Sequence, residues 1–435
     1  MENKEEFHRK IIKELNLDNF LEDRSNKHKQ EKQDIKDQIE KVLTSLMFEP
    51  KNTHQHTKET LIFLKILWKK YDCIKIANFF EHFARIEPTL LSLGGTREHF
   101  LHIFHVFLFG LRIISKIISI MDTDSQKILK IKDENEDTCV FPRHYNYKER
   151  IFYLWTLAST FHDIGYPLEY LPEIKEGFQK FTDIFNYKIT PLNFQLDYSD
   201  IVELDPNFRL ISRLYGGKLT FTEIEPDVYE KIEHTHFHKV LISAFRKRNH
   251  GILSAIILLR LIERIFLFPK EFDSKYPLTP EEFNKYTKYF YNNDIARAAL
   301  IISLHNLKGN NLPEISQIKF SEFPLAFILI LTDEFQEFLR RKTDLGEEKI
   351  ILKNIPNIDV IKEENELTIK IKYYLGDKEI SEIKEDTKSE DLKEALDIFW
   401  QGSIESLEKR LSSETNYKVI FETWKDNKIV YEWIL

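Results

Sequence analysis

Cysteine is scarce in this chain of 435 residues, which carries only Cys73 and Cys139. The two lie far apart and form no CxxC spacing, so neither a thiolate zinc site nor a disulfide framework is expected. The opening stretch, MENKEEFHRK, lacks the apolar core of a signal peptide. An excess of positive charge is also missing: net charge is −8 at pH 7, with lysine and arginine spread along the chain. That argues against an extended nucleic-acid surface and leaves room for a local basic pocket. The longest apolar run, Phe100 to Met121, is interrupted by His102, His105, Arg112 and Lys116, and reads as a buried helix, not a membrane span. A cytoplasmic protein without membrane contact is the expectation.

What is present is a globular composition, 42% hydrophobic and 31% charged. The length exceeds one simple core and predicts two or three domains. Residues 1–90 read as N-terminal helices. Ile35, Ile39, Val42, Leu43 and Leu46 form one apolar face. Leu61, Leu64, Leu67 and Trp68 form a second, and Ile76, Phe79, Phe80 and Phe83 a third. Residues 91–345 read as a helical domain. Within it, 168–245 looks irregular, broken at Pro172, Pro191, Pro206 and Pro226, and has the character of a lid-like insertion. Residues 346–435 read as a small α+β domain. Ile358–Tyr374 alternates like strands around a turn at Glu363-Glu364-Asn365, Glu390–Leu411 is an amphipathic helix, and Tyr417–Leu435 is a hairpin turning at Asp426-Asn427.

The 15 histidines all lie at or before His305, so metal chemistry is expected in the helical part alone. His99, His102 and His105 recur every third residue on an apolar helix and share one face. His162 and Asp163 stand together in ASTFHDIGYP, where a helix runs out at Gly165 and Pro167. Neighbours on a helix point about 100° apart, so both can reach one ion only off the helix end. His250 opens the apolar helix Gly251–Phe268, preceded by Arg246, Lys247 and Arg248, and a helix N-terminus favours an anion. His305 ends a helix over Asp294–Leu307 and shares its inward face with Ile301, Ala298 and Ile295. Asp333 follows the apolar run LAFILILT on a helix read as Pro324–Arg341, with Glu337 four residues on and Arg340 on the same side. His234, His236 and His238 alternate as on a strand in polar surroundings and read as surface. Taken singly, each histidine has an ordinary reading as a helix cap or a satisfied core group. As a set, His102, His162, Asp163, His250, His305 and Asp333 bring four imidazoles and two carboxylates from five apolar helices. That donor set suits one or two divalent ions such as manganese, iron, magnesium or zinc, and its size argues against a closed structural zinc site.

Here the sequence resembles the HD superfamily of metal-dependent phosphohydrolases over about residues 90–345. The likeness is carried by REHFLHIFHV, FHDIG, RNHGILSA, LHN and LTDEFQEFLR. It implies an all-helical catalytic domain, the six ligands named above, and hydrolysis of a nucleotide phosphate by metal-activated water. Within that chemistry Arg246, Lys247, Arg248 and Arg340, with Arg97 behind them, are candidates to meet phosphate charge, and His99 or His105 to carry protons. A (deoxy)nucleoside triphosphate is the substrate expected by analogy. The stretch after the His-Asp pair reads GYPLEY, however, without the further histidine usual in deoxynucleoside triphosphohydrolases. A cyclic nucleotide phosphodiesterase, a di-iron oxygenase and a non-catalytic nucleotide sensor are the alternatives. Expected partners are a nucleotide, a second copy of the chain and, through the C-terminal domain, another protein.

Overall fold

The structure is a computed structural model. It describes residues 4–21, 26–48, 53–70, 74–92, 99–121, 129, 147–169, 176, 198–216, 236–267, 291–292, 294–307, 317–337, 340–342, 348–350 and 356–435. The described chain is mainly helical, with one small four-stranded sheet near the C-terminus.

Four helices open it: α1 (Lys4–Leu15), α2 (Asn26–Phe48), α3 (Thr53–Lys70) and α4 (Ile74–Ser92). Their apolar stripes face inward as the periodicity predicts. Ile35, Ile39, Val42, Leu43, Leu64, Leu67, Trp68, Ile76, Phe80 and Phe83 are buried, whereas Leu61 and Phe79 are half-buried. The side chain of Leu46 lies outside the described residues. Next come α5 (His99–Met121) and α6 (Tyr147–Phe161), the two central helices. By length and composition α5 could cross a membrane, but here it is largely buried within the protein. On α6 every residue from Glu149 to Phe161 is buried.

The close approach of α5 and α6 depends on Gly110. A Cβ there would stand 1.8 Å from Trp155 Cζ2, and the Trp155 indole N–H donates to the Phe107 carbonyl at 2.9 Å. The indole thus fills the space that a side chain at 110 would need.

After α7 (Tyr166–Glu169), the stretch expected to be irregular contains two helices, α8 (Tyr198–Gly216) and α9 (His236–Arg246). This corrects the reading of 168–245 as loop, at least where it is described. Pro206 lies inside α8 and is exposed. Leu204 before it, and Phe208, Ile211 and Leu214 after it, pack on the core and hold the helix together across it. Then follow α10 (His250–Leu267), α11 (Ala296–His305) and α12 (Pro324–Glu337). The last ends before Arg340, which lies in a short hairpin of β1 (Arg340–Lys342) and β2 (Glu348–Ile350). Arg340 therefore does not share a helical face with Asp333, contrary to expectation.

The C-terminal unit follows the alternation closely: β3 (Asn357–Glu363) and β4 (Glu366–Tyr374) pair antiparallel, as do β5 (Tyr417–Lys425) and β6 (Lys428–Ile434). Asp426 and Asn427, at φ 47° and 60°, make the left-handed two-residue turn that suits a twisted hairpin. Two features escaped the sequence reading. Helix α13 (Asp377–Thr387) precedes α14 (Leu392–Arg410), and together they cross over so that β4 and β5 pair in parallel. The unit is docked on the helical part: β3 packs on α5 and α14 on α12. Arg112 of α5 is buried where it meets Glu14 and donates to the Pro356 carbonyl at 3.0 Å.

Replacing Gly110 by alanine should lower unfolding free energy by about 1–3 kcal/mol, because Trp155 must move and lose its hydrogen bond. Urea denaturation checks this; a change below about 0.5 kcal/mol would contradict the packing described.

Candidate metal centre

The centre begins where α6 stops. Ser159 and Thr160 turn their hydroxyls back to the carbonyls of Trp155 and Thr156, both at 2.6 Å, satisfying these polar groups inside a buried helix. The helix ends at Phe161, and His162–Gly165 form a turn closed by Ile164 N–H to Phe161 O and Tyr166 N–H to Asp163 O. His162 and Asp163 thus lie off the helix end, as their adjacency requires. Gly165 lets this turn lie against α10. A Cβ would fall 2.4 Å from the His250 carbonyl oxygen, while the Gly165 N–H donates to Ser254 Oγ at 2.8 Å.

All six expected ligands converge, in two groups that share Asp163. In the first, His102 Nε2 lies 2.8 Å from His162 Nε2, 3.2 Å from Asp163 Oδ2 and 3.0 Å from Asp333 Oδ1. His162 Nε2 stands 3.5 Å from Asp163 Oδ2 and 3.8 Å from Asp333 Oδ1. In the second, the other carboxylate oxygen, Asp163 Oδ1, faces His250 Nε2 at 3.6 Å and His305 Nε2 at 3.8 Å. All six residues are buried.

These contacts fit a cation better than a hydrogen-bond network. His162 Nδ1 donates to the Ser159 carbonyl at 2.8 Å, which leaves Nε2 as a bare lone pair. His305 repeats the arrangement with the Ile302 carbonyl, and its buried Nε2 has no hydrogen-bond partner. A proton on His102 Nε2 can point at only one of three acceptors, whereas a cation answers all of them. Two N/O ligands bound at about 2.1 Å and 90–109° lie about 3.0–3.4 Å apart, close to the spacings here. The two groups, His102, His162, Asp163 and Asp333, and Asp163, His250 and His305, can therefore hold metal. Burial pushes the His162 imidazole down to about 3, with Asp163 pulling the other way, so it stays neutral and ligand-competent.

One residue that the sequence reading did not single out completes the centre. His250 Nδ1–H donates to Glu169 Oε2, on α7, at 2.7 Å, which turns Nε2 toward Asp163. Tyr166 stacks on the His250 ring at 4.2 Å, and the Asn306 side-chain amide sits 3.0 Å from the same Nδ1. A carboxylate in GYPLEY was visible, but its partner lies 81 positions away.

The other candidates are distributed differently. His105 is half-buried beside the Phe104 ring and belongs to neither group. Arg246 is exposed, and Arg248 is half-buried at a left-handed φ of 56° just past α9. The side chains of His99 and Arg340, together with Arg97 and His234, lie outside the described residues. His236 and His238 are on α9, not on a strand. His238 is buried and bonds Asp205 at 2.9 Å, which corrects its assignment to the surface.

No family model, curated protein or solved structure matches this chain.

The His162 shift sets a pH dependence for the metal-free protein. Its pKa is lower folded (about 3) than in the reference state (6.5), so the fold prefers neutral imidazole. This stability is present above pH 6.5 and lost as pH falls from 6.5 toward 3. Melting temperature of the apoprotein should therefore drop between pH 6.5 and 4.5, and less steeply for His162→Gln. Equal slopes for the two proteins would contradict the assignment.

Proposed function

We propose that this chain is an HD-type, metal-dependent phosphohydrolase acting on a nucleotide, with a (deoxy)nucleoside triphosphate as first choice and a cyclic nucleotide as second. The observation that carries this reading is the Asp163 carboxylate, which turns one oxygen to each of two ligand groups at a helix end. Such sharing suits a pair of ions set to grip a phosphate and a water together. His102, His162, Asp163 and Asp333 would hold one divalent ion, and Asp163, His250 and His305 a second, with manganese, iron, magnesium or zinc all compatible. When bound, such ions supply Lewis acidity that lowers the pKa of water and neutralises phosphate charge.

The chain's own groups do the rest. Glu169 holds the proton of His250 Nδ1 and keeps Nε2 free to ligate. Ser159 O does the same for His162, and Ile302 O for His305. Arg246 and Lys247 are exposed just ahead of His250, where their charge can draw in a polyphosphate. His105 lies one helical turn beyond His102 and is the candidate to give a proton to the leaving group.

A panel of nucleotides incubated with the purified protein and Mn²⁺ tests the reading through its products. Tripolyphosphate or pyrophosphate marks a triphosphate hydrolase, and a linear monophosphate marks a phosphodiesterase. Asp163→Asn should cut turnover by about 10³-fold, on the order of 4 kcal/mol of transition-state stabilisation. Turnover that survives this change would refute the reading, as would no hydrolysis of any nucleotide with any divalent metal.

A further inference from the structure

Helix α11 ends at His305, and the last carbonyls of a helix have no partner within it. Here one partner comes from 105 positions further on. Arg410 Nη1, at the end of α14, donates to the His305 carbonyl oxygen at 2.7 Å. The same guanidinium pairs with Glu334, the residue after Asp333 on α12. Ser406, one turn earlier on α14, donates to Glu334 Oε1 at 2.7 Å. Arg410 is itself buried, 5% exposed. Its backbone is fixed in turn: Ile318 N–H donates to the Arg410 carbonyl at 2.8 Å, and Ser412 N–H to the Ile318 carbonyl at 3.0 Å.

We propose that Arg410 is a positioning residue for the metal centre, setting His305 and Asp333 relative to each other from the C-terminal unit. This rests on the metal reading above. His305 belongs to one ligand group and Asp333 to the other, so the spacing of α11 and α12 fixes the spacing of the two groups. A guanidinium is a planar fork whose two terminal nitrogens each take one partner here, whereas a lysine offers one flexible ammonium nitrogen for both. A cation at the C-terminus of α11 also complements the helix dipole there. Among the described residues the C-terminal unit adds no member to either group, yet it contacts both helices that carry His305 and Asp333.

The test is a visible-absorption titration of the full chain with Co²⁺, run on the wild type, Arg410→Lys, Glu334→Gln and Val419→Ala. The first two variants should bind Co²⁺ about 10- to 100-fold more weakly, with displaced ligand-field bands. Val419→Ala removes buried volume from β5 and should lower the melting temperature while leaving affinity and spectrum unchanged. Should Arg410→Lys fail to fold, Glu334→Gln decides by itself. Affinity within twofold of wild type and an unaltered spectrum in the folded variants would overturn the positioning role alone. A wild type that takes up no Co²⁺ would overturn the metal reading and this proposal with it.

Discussion

A carboxylate with no exposed surface, facing imidazole lone pairs from both of its oxygens, is the constraint on which the site depends. Asp163 is completely buried, and so are His162 and His305, whose Nδ1 protons are already given to backbone carbonyls. Collecting lone pairs and negative charge in a dry interior is costly unless a cation answers them. A protein that needed only a packed core would have placed apolar groups here, since the surrounding helices supply them in abundance. The arrangement becomes economical once a divalent ion is bound, because each lone pair then has its partner.

The remainder of the helical architecture serves to bring those groups to one place. The entirely buried α6 delivers the His-Asp pair at its end, and Gly165 lets that end lie against the start of α10, where His250 stands. The pairing of Gly110 with Trp155 brings α5 close to α6. From outside, Glu169 orients His250, while Arg410 and Glu334 tie the ends of α11 and α12 to the C-terminal unit. Polar groups at helix ends, where the backbone itself needs partners, thus also tie together the elements that carry the two His/Asp groups.

The convergence of His102, His162, Asp163, His250, His305 and Asp333 was legible because each lies within or at the end of an otherwise apolar helix, and a buried polar group there must have a partner. The strands of the C-terminal unit were legible from alternation and from the Asp426-Asn427 turn. Where the reading failed, local pattern conflicted with tertiary packing. Pro206 read as a break, yet α8 runs through it because Phe208, Ile211 and Leu214 are packed beneath. His236 and His238 alternate, but two such positions also lie on opposite sides of a helix, one exposed and the other buried against Asp205. Arg340 was carried one turn too far because nothing local marks the end of α12 at Glu337. The contacts of Glu169 and Arg410 could not be read locally, since their partners lie 81 and 105 positions away. The parallel pairing of β4 with β5 was hidden for a similar reason, because α13 and α14 intervene.

Elemental analysis of the purified protein, joined to X-ray absorption at the edge of the metal found, tests the central claim most directly. One or two bound ions per chain are expected, with nitrogen and oxygen neighbours at about 2.0–2.2 Å and no sulfur, and loss of all bound metal in Asp163→Ala. A chain that remains metal-free after reconstitution, or an Asp163→Ala variant that retains metal as fully as the wild type, would contradict it.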